Sequence, residues 1–213
     1  LSPSGAPTAI ATETVTPNSR LVLDVHDVLA NETSQWQHIY IYTNPYYGKV
    51  MMLDSVIQCT SSDEHIYHEM MVHVALQYLK KVIAPSPTPQ LRCAVVGGGD
   101  GGCLREVLKH QDAVKEVTLV EIDGRVVDLC RTHLPEVSAG AFEHEKVKVE
   151  IADGAVWLAE PARNNTLDLL VIDSSDDDAD SADINSSLFT DSFYSKAFSA
   201  LNDTGMCYVH RLK

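Results

Sequence analysis

The chain has 213 residues, of which 45% are hydrophobic and 22% charged, and its formal net charge is -14. This composition is typical of a soluble globular protein, and the acidity argues against a nucleic-acid-binding surface while suiting cationic ligands. No run of eighteen apolar residues and no secretory signal occurs, so we expect a cytoplasmic protein without a membrane partner. The five cysteines form no C-x-x-C pair, which argues against a zinc ribbon or a disulfide scaffold.

The first sixty residues change character near residue 21. Residues 1–20 are rich in Ser, Thr, Pro and Ala with almost no large apolar side chains, so we predict a flexible tail there. Short β-rich runs separated by turn residues follow at 21–25, 37–42, 49–53 and 56–59. These runs predict a small antiparallel β-sheet domain in residues 21–62.

The rest of the chain alternates between helical and strand patterns. Apolar residues at helical spacing behind Asp63 and Glu64 predict a long helix, and the proline-rich residues 85–89 predict a stiff linker after it. Predicted strands follow at 91–96, 117–122, 147–151, 167–172 and 206–210, with predicted helices at 104–110, 124–133, 155–159 and 189–201. This order predicts an α/β fold for residues 63–213, with a mostly parallel Rossmann-like sheet and helices on both faces.

A glycine-rich turn, Gly97-Gly-Gly-Asp-Gly-Gly102, follows the first predicted parallel strand. Glycines let a nucleotide approach the backbone closely, and the helix that follows offers unpaired N–H groups. About twenty residues further on, the next strand ends at Glu121 and Asp123, where a Rossmann-type domain holds ribose hydroxyls. The two features together predict a nucleotide site.

Acids follow four successive predicted strands. They are Asp100 after the first, Glu121 and Asp123 after the second, Asp153 after the third, and Asp173 and Asp176 after the fourth. In an open α/β sheet, ligands bind outside the carboxyl ends of the strands. One such acid could simply cap a helix, but four strand ends that carry acids predict a negatively charged binding site.

Four segments carry a resemblance to a known family. Residues 58–71, 97–106, 120–123 and 173–176 resemble, in order and spacing, the spermidine synthase family of polyamine aminopropyltransferases. The likeness runs from about residue 21 to residue 210. It implies a methyltransferase-type Rossmann-like fold, a homodimer, and transfer of an aminopropyl group from decarboxylated S-adenosylmethionine to putrescine, giving spermidine and methylthioadenosine. It implies no metal and no cofactor besides that co-substrate.

The resemblance also implies roles for individual residues. The nucleotide donor would be bound by Gln37, His68, Asp100, Glu121, Asp153 and Gly154. The diamine would be bound by Tyr67, Asp173 and Asp176, and Asp173 would be the catalytic base. These residue types fit the chemistry, because a diamine is a dication at neutral pH and must lose a proton before it attacks.

Several alternatives remain open at this stage. The acidic residues 177–183 lack the prolines usual after this motif, and the resemblance implies further strands beyond residue 213. A catalytically weak regulatory partner subunit and an S-adenosylmethionine-dependent methyltransferase on the same fold therefore stay possible, as does spermidine or another polyamine in place of putrescine. A metal site at His65 and His68 is disfavoured, because the sequence offers no third or fourth ligand.

Overall fold

The computed structural model describes residues 6–83, 90–174 and 188–209. Its N-terminal part consists of two antiparallel sheets. A hairpin is formed by β1 (Ala9–Thr16) and β2 (Ser19–Val25). A four-stranded sheet contains, in spatial order, β3 (Val28–Thr33), β4 (His38–Asn44), β5 (Gly48–Leu53) and β6 (Val56–Thr60).

The hairpin corrects the prediction of a flexible tail over residues 1–20. Residues 9–20 lie in paired strands, whereas residues 1–5 fall outside the described part. Ala11 and its neighbour across the ladder, Leu23, are buried, and this face packs on Tyr42 and Val50 of the larger sheet. The composition of residues 1–20 misled the prediction, because the small Ala11 needs no large side chain when the partner strand supplies the apolar surface.

A long helix and a parallel sheet make up the rest of the described chain. Helix α1 (Glu64–Ile83) precedes a five-stranded sheet whose neighbouring strands are all parallel. In spatial order its strands are β11 (Leu201–Val209), β10 (Leu167–Asp173), β7 (Leu91–Gly97), β8 (Val114–Glu121) and β9 (Val147–Ile151). Five further α-helices lie in the connections between these strands, namely α2 (Gly102–Leu108), α3 (Gly124–His133), α4 (Pro135–Ser138), α5 (Gly154–Leu158) and α6 (Asp191–Ala200).

Helices cover both faces of this sheet, so the predicted Rossmann-like α/β fold is confirmed. Val95 and Val171 point to the face covered by α1 and α2, whereas Val96 and Ile172 point to the face covered by α5 and α6. The last strand begins at Leu201, five residues before its predicted start, and the helix before it is shorter than predicted. The predicted linker at residues 85–89 lies outside the described residues.

Two structural relationships position the site. The chain runs from β7 outward through β8 to β9 and then returns to the other side of β7 with β10, so the direction of winding changes between β7 and β10. Helix α3 packs through Leu129 and Cys130 on Ile41 and Met51, which brings the four-stranded sheet over the carboxyl ends of the parallel strands. Among the described helices, none is long and apolar enough to cross a membrane.

Candidate active site

A cleft opens where the winding reverses, the position at which open α/β sheets bind ligands. Polar groups and glycines from both sheets line it, among them Gln37, Gln58, Tyr67, Gly97, Gly98, Gly99, Asp100, Glu121, Asp153, Gly154, Asp173 and Ser174. The four predicted strand ends therefore deliver their acids to one cleft.

The glycine turn joins the ends of the two central strands. The Gly98 N–H donates to the Asp173 carbonyl oxygen at 2.7 Å, and both Gly97 and Gly98 have positive φ angles, 80° and 69°. A Cβ atom added to Gly97 would lie 2.1 Å from the same carbonyl oxygen. The turn thus needs glycine for its backbone conformation and for its close contact with the strand that carries Asp173.

Asp173 projects into the cleft at the end of β10. The Tyr67 hydroxyl, from α1, donates to its Oδ1 at 2.7 Å. Its Oδ2 is buried, and no described residue hydrogen-bonds to it within the ordinary geometric limits. Burial raises the pKa of Asp173, and the negative charge of Asp100 raises it further. Burial also raises the pKa of Tyr67, so the phenol stays a hydrogen-bond donor.

Asp100 and His68 lie together beside the turn. Asp100 Oδ1 accepts the Gly102 N–H at 2.7 Å and is 3.4 Å from His68 Nε2. Burial alone would make His68 neutral, but Asp100 and Glu64 outweigh it and raise the pKa of His68 to about 11. Burial opposes the ionisation of Asp100 as well, yet His68 lowers the pKa of this acid on balance. Both pKa shifts therefore favour a carboxylate paired with an imidazolium.

Glu121 ends β8 and is almost completely buried. Its Oε1 accepts the Asp123 N–H at 2.9 Å. Burial is the main reason that its pKa rises to about 7, because a carboxylate without water around it is costly. Two hydroxyl donors from a ligand would stabilise the charged form, which suits a group that holds a ribose.

Asp153 and Gly154 lie at the start of α5. Asp153 Oδ1 caps this helix by accepting the Ala155 N–H at 2.7 Å and the Val156 N–H at 3.2 Å. A Cβ on Gly154 would lie 2.4 Å from a methyl carbon of Val96, so the helix start is pressed against β7. Capping is thus one role of this acid, although the residue also lines the cleft.

Gln37 reaches the cleft from the four-stranded sheet. Its Nε2 donates to Asp123 Oδ2 at 3.1 Å, and the Ser34 hydroxyl donates to the same oxygen at 2.6 Å. Asp123 also caps α3 through the Arg125 N–H. Asp123, one of the strand-end acids, is therefore engaged by the protein itself and fixes Gln37 at the rim.

The structure brings most of the sequence-predicted residues together, with two exceptions. His68 is not among the residues that line the cleft, because its ring lies beneath the glycine turn, but it contacts three that do, namely Tyr67, Asp100 and Asp173. Asp176 and the acidic residues 177–183 fall outside the described part. The sequence did not reveal a role for Glu64 and Arg105, which contact each other behind His68. The only signal was the i, i+4 spacing of Glu64 and His68, which predicts that their side chains meet on one face of a helix.

Two groups of potential metal ligands occur among the described residues. In the first, the donor atoms of His68, Cys103 and Asp173 lie within 4.8 Å of one another. Burial raises the pKa of the Cys103 thiol, which disfavours the thiolate that binds metal ions, and the raised pKa of His68 disfavours the neutral ring that would offer a lone pair. The second is Glu69, His73 and Glu106, in which the Lys109 ammonium lies 2.6 Å from Glu106 and already supplies a cation.

The chain matches two family models and several known polyamine aminopropyltransferases. A family model described as the spermine/spermidine synthase domain matches residues 64–211, and a model described as the spermidine synthase tetramerisation domain matches residues 10–61. The polyamine aminopropyltransferase of Desulforudis audaxviator is 37% identical over 195 residues, which are 92% of this chain and 65% of that protein. That of Serratia proteamaculans is 38% identical over 197 residues, which are 91% and 62% of the two chains.

Solved structures are similar throughout the described fold. The crystal structure of spermidine synthase from Thermotoga maritima superposes with a TM-score of 0.81 at 34% identity, covering 96% of this chain and 65% of the other. A crystal structure of spermidine synthase in complex with the transition state analogue AdoDATO gives a TM-score of 0.80 at 33% identity, covering 95% and 64%. The chain thus spans somewhat less than two thirds of the length of these proteins.

Proposed function

Because the chain belongs to the spermine/spermidine synthase family, we propose that it transfers the aminopropyl group of decarboxylated S-adenosylmethionine to an amine acceptor. The observation that carries the proposal is the Asp173 carboxyl group at the end of β10. One of its oxygens is held by Tyr67, and the other is buried in the cleft without a hydrogen-bond partner among the described residues. A buried oxygen of this kind is suited to accept a proton from a bound ammonium group.

The reaction needs an acceptor amine with a free lone pair. An aliphatic ammonium has a pKa near about 10, so almost all of the acceptor enters protonated at neutral pH. Asp173 takes one proton, and the nitrogen then attacks the propyl carbon next to the sulfonium. A C–N bond forms while the C–S bond breaks, and its electron pair goes to sulfur, leaving neutral methylthioadenosine. The sulfonium is already activated, so this step calls for no metal or further cofactor.

The other acids of the cleft suit the donor. Glu121 can accept from the ribose hydroxyls, and Asp153 with Gly154 can meet the adenine amino group at the start of α5. Asp100 suits the propylammonium group and would repel the carboxylate of ordinary S-adenosylmethionine. Gln37 completes the rim, and the site as a whole would hold the amine and the carbon in line.

The remaining parts of the proposal concern the acceptor, the assembly and the compartment. We assign putrescine as the acceptor, with Tyr67, Asp173 and Asp176 as its binding residues, and spermidine as the product. The match of residues 10–61 to a tetramerisation domain supports an oligomer, and we propose a homodimer built through the N-terminal sheets. A cytoplasmic location goes with this activity.

One assay tests the proposal directly. The full-length protein is incubated with decarboxylated S-adenosylmethionine and with putrescine, cadaverine or spermidine in turn, and methylthioadenosine and the aminopropylated amine are quantified. We expect equimolar amounts of the two products, with putrescine as the best acceptor. Formation of neither product with any of the amines would refute aminopropyl transfer, and a preference for spermidine would correct the acceptor.

A further inference from the structure

An ion-paired chain of side chains lies behind the cleft and is not explained by substrate binding. Arg105, from α2, donates to both oxygens of Glu64, from α1, at 2.8 and 2.9 Å. Glu64 Oε2 in turn is 2.6 Å from His68 Nδ1. The other ring nitrogen, Nε2, is 3.4 Å from Asp100 Oδ1. This series of ion pairs therefore runs from Arg105 on α2 through Glu64 and His68 on α1 to Asp100 beside the glycine turn.

The ring of His68 has little freedom to move. It is 2% exposed, and a Cβ atom on Gly102 would lie 2.3 Å from its Cε1 and Nδ1 atoms. Both ring nitrogens face carboxylate oxygens, which accept hydrogen bonds and donate none when ionised. Only the doubly protonated ring can donate to both, so the geometry itself selects the cation.

The titratable and charged groups near the ring are Glu64 and Tyr67 on its own helix, Asp100 in the turn, Cys103 and Arg105 on α2, and Asp173 at the end of β10. Cys59 and Asp63 line a neighbouring cavity together with His68. Arg105 is already engaged by Glu64, by the Val137 carbonyl and by Glu106. The carboxylates thus dominate the surroundings of the ring.

We propose that Glu64 and Arg105 are positioning residues that hold His68 as a cation, so that Asp100 and Asp173 can both be ionised in one buried site. Two neighbouring carboxylates in a dry cleft oppose each other's ionisation unless a positive charge lies between them. Asp100 must be charged to attract the donor, and Asp173 must be charged to accept a proton. The role of Glu64 and Arg105 rests on the proposed function, but the protonation of His68 can be measured without it.

The test is a titration of the His68 ring by NMR in protein labelled with ¹⁵N-histidine, with the signal assigned by its loss in His68→Gln. The variant is Glu64→Gln, and the matched control is Glu69→Gln, an exposed acid on the same helix. We expect the wild-type and control rings to stay protonated at pH 8, and the midpoint of Glu64→Gln to fall by about 1–3 pH units. In steady-state assays, the acid limb of kcat should move to higher pH in Glu64→Gln only, because Asp173 loses a nearby cation.

Two results would overturn the proposal, namely a neutral His68 at pH 7 in the wild-type protein, or a midpoint that Glu64→Gln leaves unchanged. If Glu64→Gln does not fold, Arg105→Lys, which keeps the charge but loses the two-pronged contact, replaces it with the same expected direction. If no amine is aminopropylated by the wild-type protein, the proposed function fails, yet the ring titration still decides whether Glu64 and Arg105 maintain the cation.

Discussion

The Tyr67 hydroxyl donates to Asp173 Oδ1 at 2.7 Å and connects the long helix before the parallel sheet to the end of the strand beside its centre. Asp173 is thereby held with Oδ1 occupied and Oδ2 buried in the cleft, without a hydrogen-bond partner among the described residues. The hydrogen bond from Tyr67 lowers the pKa of Asp173, although burial raises this pKa by more. Tyr67 thus both orients the proposed base and favours its ionised form.

Removal of this hydrogen bond should change the pH dependence of the reaction. In Tyr67→Phe the pKa of Asp173 rises, because the bond that favours the carboxylate is lost, so the acid limb of the kcat profile should move to higher pH. At pH 8 we expect kcat to fall by roughly tenfold, since the remaining orientation of the carboxyl is looser. Steady-state kinetics from pH 6 to 10 measure both effects. A limb at the wild-type position would show that Tyr67 does not act on Asp173.

Glu121 should make the free protein less stable as pH rises. Its pKa in the folded protein is raised to about 7 from 4.5, so the folded state holds a proton that the unfolded state has released between these values. Stability from this group is present below pH 4.5 and is lost as pH rises through 7. The free energy of unfolding of Glu121→Gln, relative to that of the wild type, should therefore increase by as much as about 3 kcal/mol between pH 4.5 and pH 8. Urea unfolding of both proteins at both pH values measures this difference. If the free energy of unfolding changes with pH by the same amount in the two proteins, the pKa of Glu121 is not raised in the folded state.

Two glycines with the same φ angle allow the cost of backbone strain to be separated from the cost of a steric clash. Gly97 and Gly140 both have φ near 80°, but a Cβ on Gly97 meets the Asp173 carbonyl at 2.1 Å, whereas one on Gly140 meets nothing within 4 Å. Gly140→Ala should cost about 1–2 kcal/mol of unfolding free energy from backbone strain alone. Gly97→Ala should cost several kcal/mol and reduce kcat, because the end of β10 must shift. Equal losses in the two variants would mean that the contact with Asp173 is unimportant.

Asp100 should select the decarboxylated donor by charge. In Asp100→Asn, affinity for decarboxylated S-adenosylmethionine should fall by about 30-fold or more, because a buried ionic partner is lost. Affinity for ordinary S-adenosylmethionine should stay equal or improve, since the repulsion of its carboxylate is removed. Calorimetry with the two nucleosides on both proteins measures the ratio. An unchanged preference in Asp100→Asn would place the selectivity elsewhere.

The parallel sheet was predictable because its central strands β7 and β10 contain nearly continuous apolar runs, each followed by a turn signal. The same patterns located the strand-end acids, since parallel strands bring their ends to one edge. Strand β2 was predicted at residues 21–25, but its partner β1 was missed, because the burial of β1 depends on a surface supplied by strands that follow later in the chain. The contact of Arg105 with Glu64 joins residues 41 positions apart, which periodicity cannot reveal. The place of His68 behind Asp100 likewise depends on packing of α1 against the glycine turn.

The role of Asp173 as the group that accepts the proton of the amine can be measured directly. The wild-type protein is compared with Asp173→Asn in single-turnover formation of methylthioadenosine from decarboxylated S-adenosylmethionine and putrescine. We expect a rate about 10²–10⁴ times lower in Asp173→Asn, with affinity for the nucleoside nearly unchanged. A variant that forms product at the wild-type rate would contradict this role of Asp173.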